Sequence, residues 1–186
     1  MGPAFVYLFA IIDVYSRKIA GWHLGFNARI ESMKKAWDKA LVNENLIGVS
    51  GAPELPTALS DHGVQMAKKT AKQFFKDLGI KQLFARYQTP QDNAWIESWF
   101  RILKYDWLRY IDYVSFDKLK SIIDQFTTIY NTQRYHGAIG LPPEQKHTGQ
   151  AEAILKERSE RKRLARLHRL NVNRQSVSQL EWKKAA

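Results

Sequence analysis

The spacing of apolar and polar positions changes several times along the chain, and each change predicts an element. The opening run VYLFAIIDVYSRKIAGWHLG is dense in β-branched and aromatic residues and is broken by Tyr15-Ser16-Arg17-Lys18. This pattern predicts two antiparallel strands around a tight turn, over 5–14 and 18–24. The first is apolar on both faces, as expected of a strand covered on both sides. From Arg29 the period becomes helical, with Ile30, Met33, Trp37, Ala40 and Leu41 inward and Lys34, Lys35 and Lys39 outward. A Gly- and Pro-punctuated connection over 48–56 leads to a short strand ending at Asp61. Ala71, Phe74, Phe75 and Leu78 mark a helix with Lys68, Lys69, Lys72 and Lys76 on its other face; Gly79 stops it, and a strand over 80–85 follows.

Strands alternating with helices imply an α/β layer fold. Beyond Pro90 the chain turns wholly helical, with one helix over 92–110 and another over 116–135 carrying the stripe Phe116, Leu119, Ile122, Ile123, Phe126 and Tyr130. Residues 151–186 differ in character: ten Lys/Arg stand against four Glu, so +6 of the formal net charge of +11 falls there. Ile154, Leu155, Leu164, Leu167 and Leu170 predict an amphipathic helix with a basic outer face, a solvated surface helix or an arm for DNA or a partner. The chain divides accordingly into a core over 1–146 and a basic helical extension over 147–186.

Composition narrows the class. The 186 residues are 45% hydrophobic with six Trp, enough for a packed core. There is no Cys, which excludes a disulfide scaffold, a thiolate metal site and a Cys nucleophile. The longest apolar run, 5–12, is too short to span a bilayer, so the expectation is a soluble, cytoplasmic protein. The positive balance points to an acidic partner, with nucleic acid or an anionic surface the default candidates.

Two acidic residues stand out by position. Asp61, in Ser60-Asp61-His62-Gly63, sits where a strand should end, and strand C-termini of α/β sheets gather ligands and metals. Glu97 lies in the helix opened by DNAWIES. At roughly 100° per residue, Glu97, Arg101 and Lys104 share one face, Asn93 joins them a turn earlier, and Trp95, Trp99 and Ile102 take the opposite face. A carboxylate beside two cations and an amide suits a metal site facing a phosphate backbone. Hard Mg²⁺ takes carboxylate and water oxygens, and two such ions can activate an attacking oxygen and stabilise a leaving one. His62 is not needed as a base in such a site, and His23 and His136 read as core or turn histidines.

Four segments in order, YLFAIIDVYSRKIAGW, LSDHGVQ, YQTPQDNAWIESWFRILK and YNTQRYHGAIGLPPEQ, resemble the catalytic core of retroviral-type integrases, in particular the transposases of bacterial insertion sequences. Asp61 and Glu97 are separated by 35 residues, the interval of that family's Asp, Asp, 35 residues, Glu signature, and Lys104 fills its basic position seven residues after the Glu. The resemblance implies a ribonuclease H-like fold with a mixed sheet of five strands and helices on both faces. It implies Mg²⁺ or Mn²⁺, two ions held by three carboxylates, with Asp61 and Glu97 as the second and third. It also implies DNA cleavage at transposon ends followed by strand transfer, in a homo-oligomer that bridges DNA ends in the bacterial cytoplasm, associated with the nucleoid. Residues 88–93, including Gln88, Gln91 and Asn93, match the loop beside the site, and Lys104 the contact to DNA phosphate. Arg101 on the same face and Lys68 and Lys72 on the earlier helix complete the expected DNA-binding set.

One departure bears on activity. The family's first catalytic Asp lies on a strand just before the YLF segment, whereas this chain opens Met-Gly-Pro-Ala-Phe. Asp13 is not a substitute; it matches the Asp of the family's Asp-x-x-Ser-Arg turn and is expected to cap that turn. The strand in question is central, so the sheet is expected to show unpaired ladder edges beside an incomplete metal site. Either Met1 is an internal methionine of a longer transposase, or the chain is a remnant that binds DNA or partner subunits without chemistry. A ribonuclease H-like nuclease that cuts without joining is the third reading.

Overall fold

In the computed structural model the described residues are 5–47, 55–61, 69–87, 89–112 and 115–185. Two strands, β1 (Tyr7–Ile12) and β2 (Ile19–Gly25), pair antiparallel in the register Tyr7↔Gly25 to Ile11↔Gly21. The register shifts between Ile11 and Ile12, which pairs with Ile19, so Ala20 bulges out of the ladder. Side chains from two helices take up the backbone groups freed there. Asn43 Nδ2 donates to the Ala20 carbonyl at 2.7 Å. Asn131 accepts from the Ile19 N–H at 2.9 Å and donates back to its carbonyl at 3.0 Å. The β1–β2 turn is closed by Asp13 as the sequence predicts: its carboxylate accepts from the N–H groups of Tyr15 and Ser16 and from the Ser16 hydroxyl.

The expected elements follow. Helix α1 (Ile30–Asn43) buries Met33, Trp37, Ala40 and Leu41 as its period predicts. Strand β3 (Ala58–Ser60) and strand β4 (Gln82–Phe84) pair in parallel and are joined through α2 (Lys69–Asp77). Gly79, at φ +70, supplies the left-handed residue that ends the turn after α2. The predicted helix over 92–110 is instead three pieces: α3 (Ala94–Ile102), a widened π-turn over Leu103–Trp107 and a 3₁₀ turn over Leu108–Tyr110. Helix α4 (Phe116–Thr132) starts at Ser115, whose hydroxyl accepts from the Lys118 N–H at 3.1 Å, a cap that contributes about 1 kcal/mol. A short α5 (Pro143–His147) and the long α6 (Ala151–Ala185) complete the chain.

Two hydrophobic clusters hold these elements. Ile19, Trp22 and Leu24 of β2 pack with Trp99, Ile102 and Leu103 and with Leu119, Ile123, Phe126 and Tyr130 of α4. On the other side, Met33, Trp37 and Leu41 of α1 pack with Ala58, Ala71, Phe75 and Ile80. Helices thus cover both faces of the hairpin. The approach of α1 to β2 is closest at Gly21, where a Cβ would lie 2.5 Å from the Ala36 carbonyl oxygen and 2.5 Å from the Ala40 nitrogen.

The strands do not form one continuous mixed sheet. Among the described residues they form two separate pairs, β1–β2 and β3–β4, and a groove of about 940 Å³ runs between β1 and β3. The unpaired edges expected from the sequence are the walls of this groove. As expected, β1 packs on both faces, with Leu8, Ala10 and Ile12 against the first cluster and Phe9 and Ile11 against the second, but it is only half-buried and β2 is the more buried strand of the pair.

Candidate active site

Both predicted carboxylates line this groove. Asp61 follows the last residue of β3, and Glu97 stands in the first turn of α3. Apolar lining comes from Phe9 and Ile11 of β1, Met33 and Trp37 of α1, and Ile96 and Phe100 of α3, and polar lining from Asp13, Glu44, Asp92, Asn93 and His147. Helix α3 is fixed by Trp99, which is fully buried and lies 5.5 Å from Phe126 and 6.5 Å from Tyr130, ring centre to ring centre. Asn93 precedes α3, lines the same groove, and accepts the Glu97 N–H on its carbonyl at 3.1 Å. Glu97 and Arg101 are exposed in α3, and Lys104 is exposed as the second residue of the π-turn. The face predicted for Glu97, Arg101 and Lys104 is therefore the solvent face. On the opposite face Trp99 and Ile102 are buried, but Trp95 is not an anchor. It is partly exposed, with the Arg17 guanidinium stacked over its ring at 3.4 Å.

The remaining predicted residues are less concentrated. Gln91 is exposed in the 3₁₀ turn Pro90–Asp92. Lys72 is exposed on α2 and lines a separate hollow with Lys76 and Lys81, away from the groove of Asp61 and Glu97. Gln88, Lys68 and His62 lie outside the described residues.

Asp13 and Glu44 also line the groove, and so does a carboxylate that was not singled out from the sequence, Asp92. Arg86 engages it: its Nη2 donates to Oδ1 at 2.9 Å, and its Nε and backbone N–H donate to Oδ2 at 3.2 and 2.8 Å. The side-chain hydrogen bond first, then the backbone one, hold the Asp92 carboxyl down to about 2. That carboxylate orders the 86–92 turn leading into α3. Among the described residues no three His, Asp or Glu side chains converge on a point that could hold a metal.

Below the groove a polar cluster ties the β1–β2 turn to the ends of α1 and α5. His147 Nε2 lies 2.6 Å from Glu44 and its Nδ1 lies 3.4 Å from Asp13, while Lys18 bridges Glu44 at 3.1 Å and Glu144 at 3.2 Å. Burial pushes the Asp13 carboxyl up, but hydrogen bonds from the Ser16 hydroxyl and the Ser16 and Tyr15 backbones outweigh it and hold the group below its ordinary range. Asp13 is thus a structural carboxylate of the turn.

Two family models described as integrase core domain match residues 1–90 and 78–143, overlapping across the segment between the two carboxylates. The chain belongs to the integrase core domain family. It is 27% identical over 138 residues to the transposase for insertion sequence element IS904 of Lactococcus lactis, covering 72% of this chain and 51% of that protein. It is 25% identical over 129 residues to a putative transposase for insertion sequence element IS150 of Escherichia coli K12, covering 69% and 44%. The integrase core thus spans about half the length of the curated relatives it matches. Among solved structures, a chain of the simian T-cell lymphotropic virus intasome superposes with a TM-score of 0.58 at 12% identity, covering 74% of this chain and 46% of that one. That likeness shows the fold, an α/β architecture of small sheets between helices, consistent with a ribonuclease H-like core. Among the described residues no helix is long and apolar enough to cross a membrane.

Proposed function

We propose that this integrase core is the catalytic part of a DNA transposase, acting on phosphodiester bonds at transposon ends and in target DNA with Mg²⁺ or Mn²⁺. The observation that carries this reading is the placement of Asp61 and Glu97, 35 residues apart in sequence, on one groove between β3 and α3. Their oxygens are the donor type a hard divalent cation takes, and such a cation keeps several waters and so needs few protein ligands. When bound, the ions supply a low-pKa attacking oxygen and charge stabilisation at the leaving oxygen. The protein's own part is positional. Asp61 is set by the parallel β3–β4 pair, Glu97 by a helix anchored through Trp99, and the Lys104 and Arg101 cations on the same solvent face draw the phosphate backbone toward the carboxylates. In this reading the core works as a homo-oligomer on DNA in the cytoplasm, at the nucleoid, and residues 147–186 form an extension separate from the core.

The expected outcome is divalent-metal binding that depends on both Asp61 and Glu97. Titration calorimetry with Mn²⁺ should show a weak site that is lost in both Asp61→Asn and Glu97→Gln. Equal heats for the parent and both variants would remove the assignment.

A second reading, DNA or partner binding without chemistry, is favoured by one observation. The carboxylate nearest Glu97 in sequence on the groove, Asp92, is held by three hydrogen bonds from Arg86. A plasmid-nicking assay with Mn²⁺ separates the two: nicking that disappears in Glu97→Gln supports the catalytic reading, and DNA binding with no nicking supports the other.

A further inference from the structure

We propose that a cationic track runs from Arg17, beside α3, across the 134–146 turn and along one side of α6, and that it binds the phosphate backbone of duplex DNA. It rests on the reading of the chain as a DNA-acting protein and adds a contact surface distinct from Lys104 and Arg101.

The track starts at the rim of the groove. Arg17 adopts a left-handed backbone conformation at φ 71, uncommon for a side chain of its size, and its guanidinium covers the exposed ring of Trp95, two residues before Glu97. The imidazole of His136 lies next along the surface. Lys146 lies over the ring of Tyr15, two residues before Arg17, and Arg134 stands two residues before His136, whose pKa burial and these cations hold below the ordinary value. Little compensates them. Arg134 reaches Asp106 only at 3.6 Å, and Lys146 sits over the face of Tyr15 at 4.3 Å without an ion pair among the described residues. From here Arg158 carries the charge onto α6: it donates to the Gly140 carbonyl and lies over the Tyr135 ring at 5.5 Å.

Helix geometry continues the line. Taking Arg158 as origin, Lys162, Arg169 and Arg166 fall within about 80° of it and extend over about 16 Å of helix. None of these three is ion-paired among the described residues, and every described side chain from 161 to 175 is exposed. The opposite half of the helix holds Leu164, Leu167 and Leu170 together with Glu157 and Glu160, and Glu160 is the partner of Arg163. A row of unpaired cations facing one way is what a phosphate backbone binds, because each contact releases condensed counterions. Two glutamates on the leucine side argue against a bilayer, whose apolar side a membrane-lying helix keeps free of acids.

The test is fluorescence anisotropy of the full chain with a labelled duplex of arbitrary sequence, in EDTA, at stepped salt. The triple variant K162Q/R166Q/R169Q removes exposed side chains only, and circular dichroism checks that it folds. Its affinity should fall at least about 10-fold, and the slope of log K against log salt should fall by about 3, since each lost phosphate contact removes about 0.9. Lys146→Gln should lower the slope by about one. Lys35→Gln, at an exposed lysine of α1 outside both surfaces, should bind as the parent does. Affinity within twofold of the parent with an unchanged slope would overturn the track, as would a triple variant that loses only binding to phosphatidylserine vesicles. A parent chain that binds no duplex in EDTA would overturn the track and leave Glu97-dependent nicking to be judged separately.

Discussion

Replacing Gly21 by Ala tests the closest contact in the fold. Gly21 lies in β2 under α1, and the added Cβ would stand 2.5 Å from the Ala36 oxygen, 2.5 Å from the Ala40 nitrogen and 2.8 Å from the Ala40 Cα. Ordinary contacts of a Cβ begin near 3.4 Å. All three obstacles are helix backbone, so no side chain can swing away, and α1 must retreat by roughly an ångström along its middle turns. That retreat loosens Met33, Trp37 and Leu41 against the β3–α2–β4 unit as well as the contact with β2. Overpacking of this kind costs about 3 kcal/mol, at the upper end of the usual range. The loss of unfolded-state freedom on going from Gly to Ala offsets about 0.4–1 kcal/mol. The net loss is about 2–3 kcal/mol, a fall in Tm of about 5–10 °C for a chain of this length. Urea unfolding followed by tryptophan fluorescence measures it, with an unchanged m-value. Gly137→Ala is the control, since a Cβ there meets nothing within 4 Å and its φ is not positive. A G21A midpoint equal to that of the parent would refute the close packing of α1 on β2 and the argument built on it.

Two further substitutions and conditions have definite signs. Trp99 is fully buried, yet its indole N–H finds no acceptor among the described residues. Trp99→Phe should therefore cost less than about 1.5 kcal/mol, because it also removes an unsatisfied donor, while Trp99→Ala should cost about 3–5 kcal/mol in thermal unfolding; equal losses would count against the orphaned donor. Burial first, with nearby lysines or arginines adding to it, holds the pKa of both His23 and His136 below the ordinary 6.5. The unfolded chain then binds protons before the folded one as the pH drops. Stability contributed by these groups is full above about 6.5 and is lost as the pH falls through their lower folded values, so the urea midpoint should decline between pH 7 and 5 and decline less in His136→Asn. A pH-independent midpoint over that range would contradict the burial of these rings.

Much of the architecture was readable because it is written locally. The period of Met33, Trp37, Ala40 and Leu41 places α1 on its core, and the stripe from Leu119 to Tyr130 does the same for α4. Asp13 announces its turn by its distance from Tyr15 and Ser16. The interval between Asp61 and Glu97 brought both onto one groove. What local spacing does not encode is the meeting of distant segments. Trp95 looked like a third anchor beside Trp99, because nothing near it in sequence says that Arg17 will cover its ring. The π-turn at Leu103–Trp107 also joins distant segments, since Trp107 at its end packs on Phe126 of α4, and local spacing does not encode that contact. The pairing of Asp92 with Arg86 needed the fold as well, although its place just before α3 was a signal. Tyr15 to Lys18 and Arg134 to His136 each set cations beside aromatics, and that pairing was the sequence trace of the track proposed above.

The separation of the strands into two pairs has a consequence for how the molecule opens. No ladder hydrogen bond joins β1 to β3, so the β3–α2–β4 unit is held to the rest largely by side chains meeting α1 across the groove. The hairpin, by contrast, is clasped from both sides by α1 and α4 and stitched at Ile19 and Ala20 by Asn131 and Asn43. The molecule is in this sense two cooperative units of unequal strength, and the weaker one carries Asp61. Breathing of that unit moves one carboxylate of the pair while Glu97, anchored through Trp99, stays in place, so the spacing of the two acids is a property of the ensemble as well as of the fold.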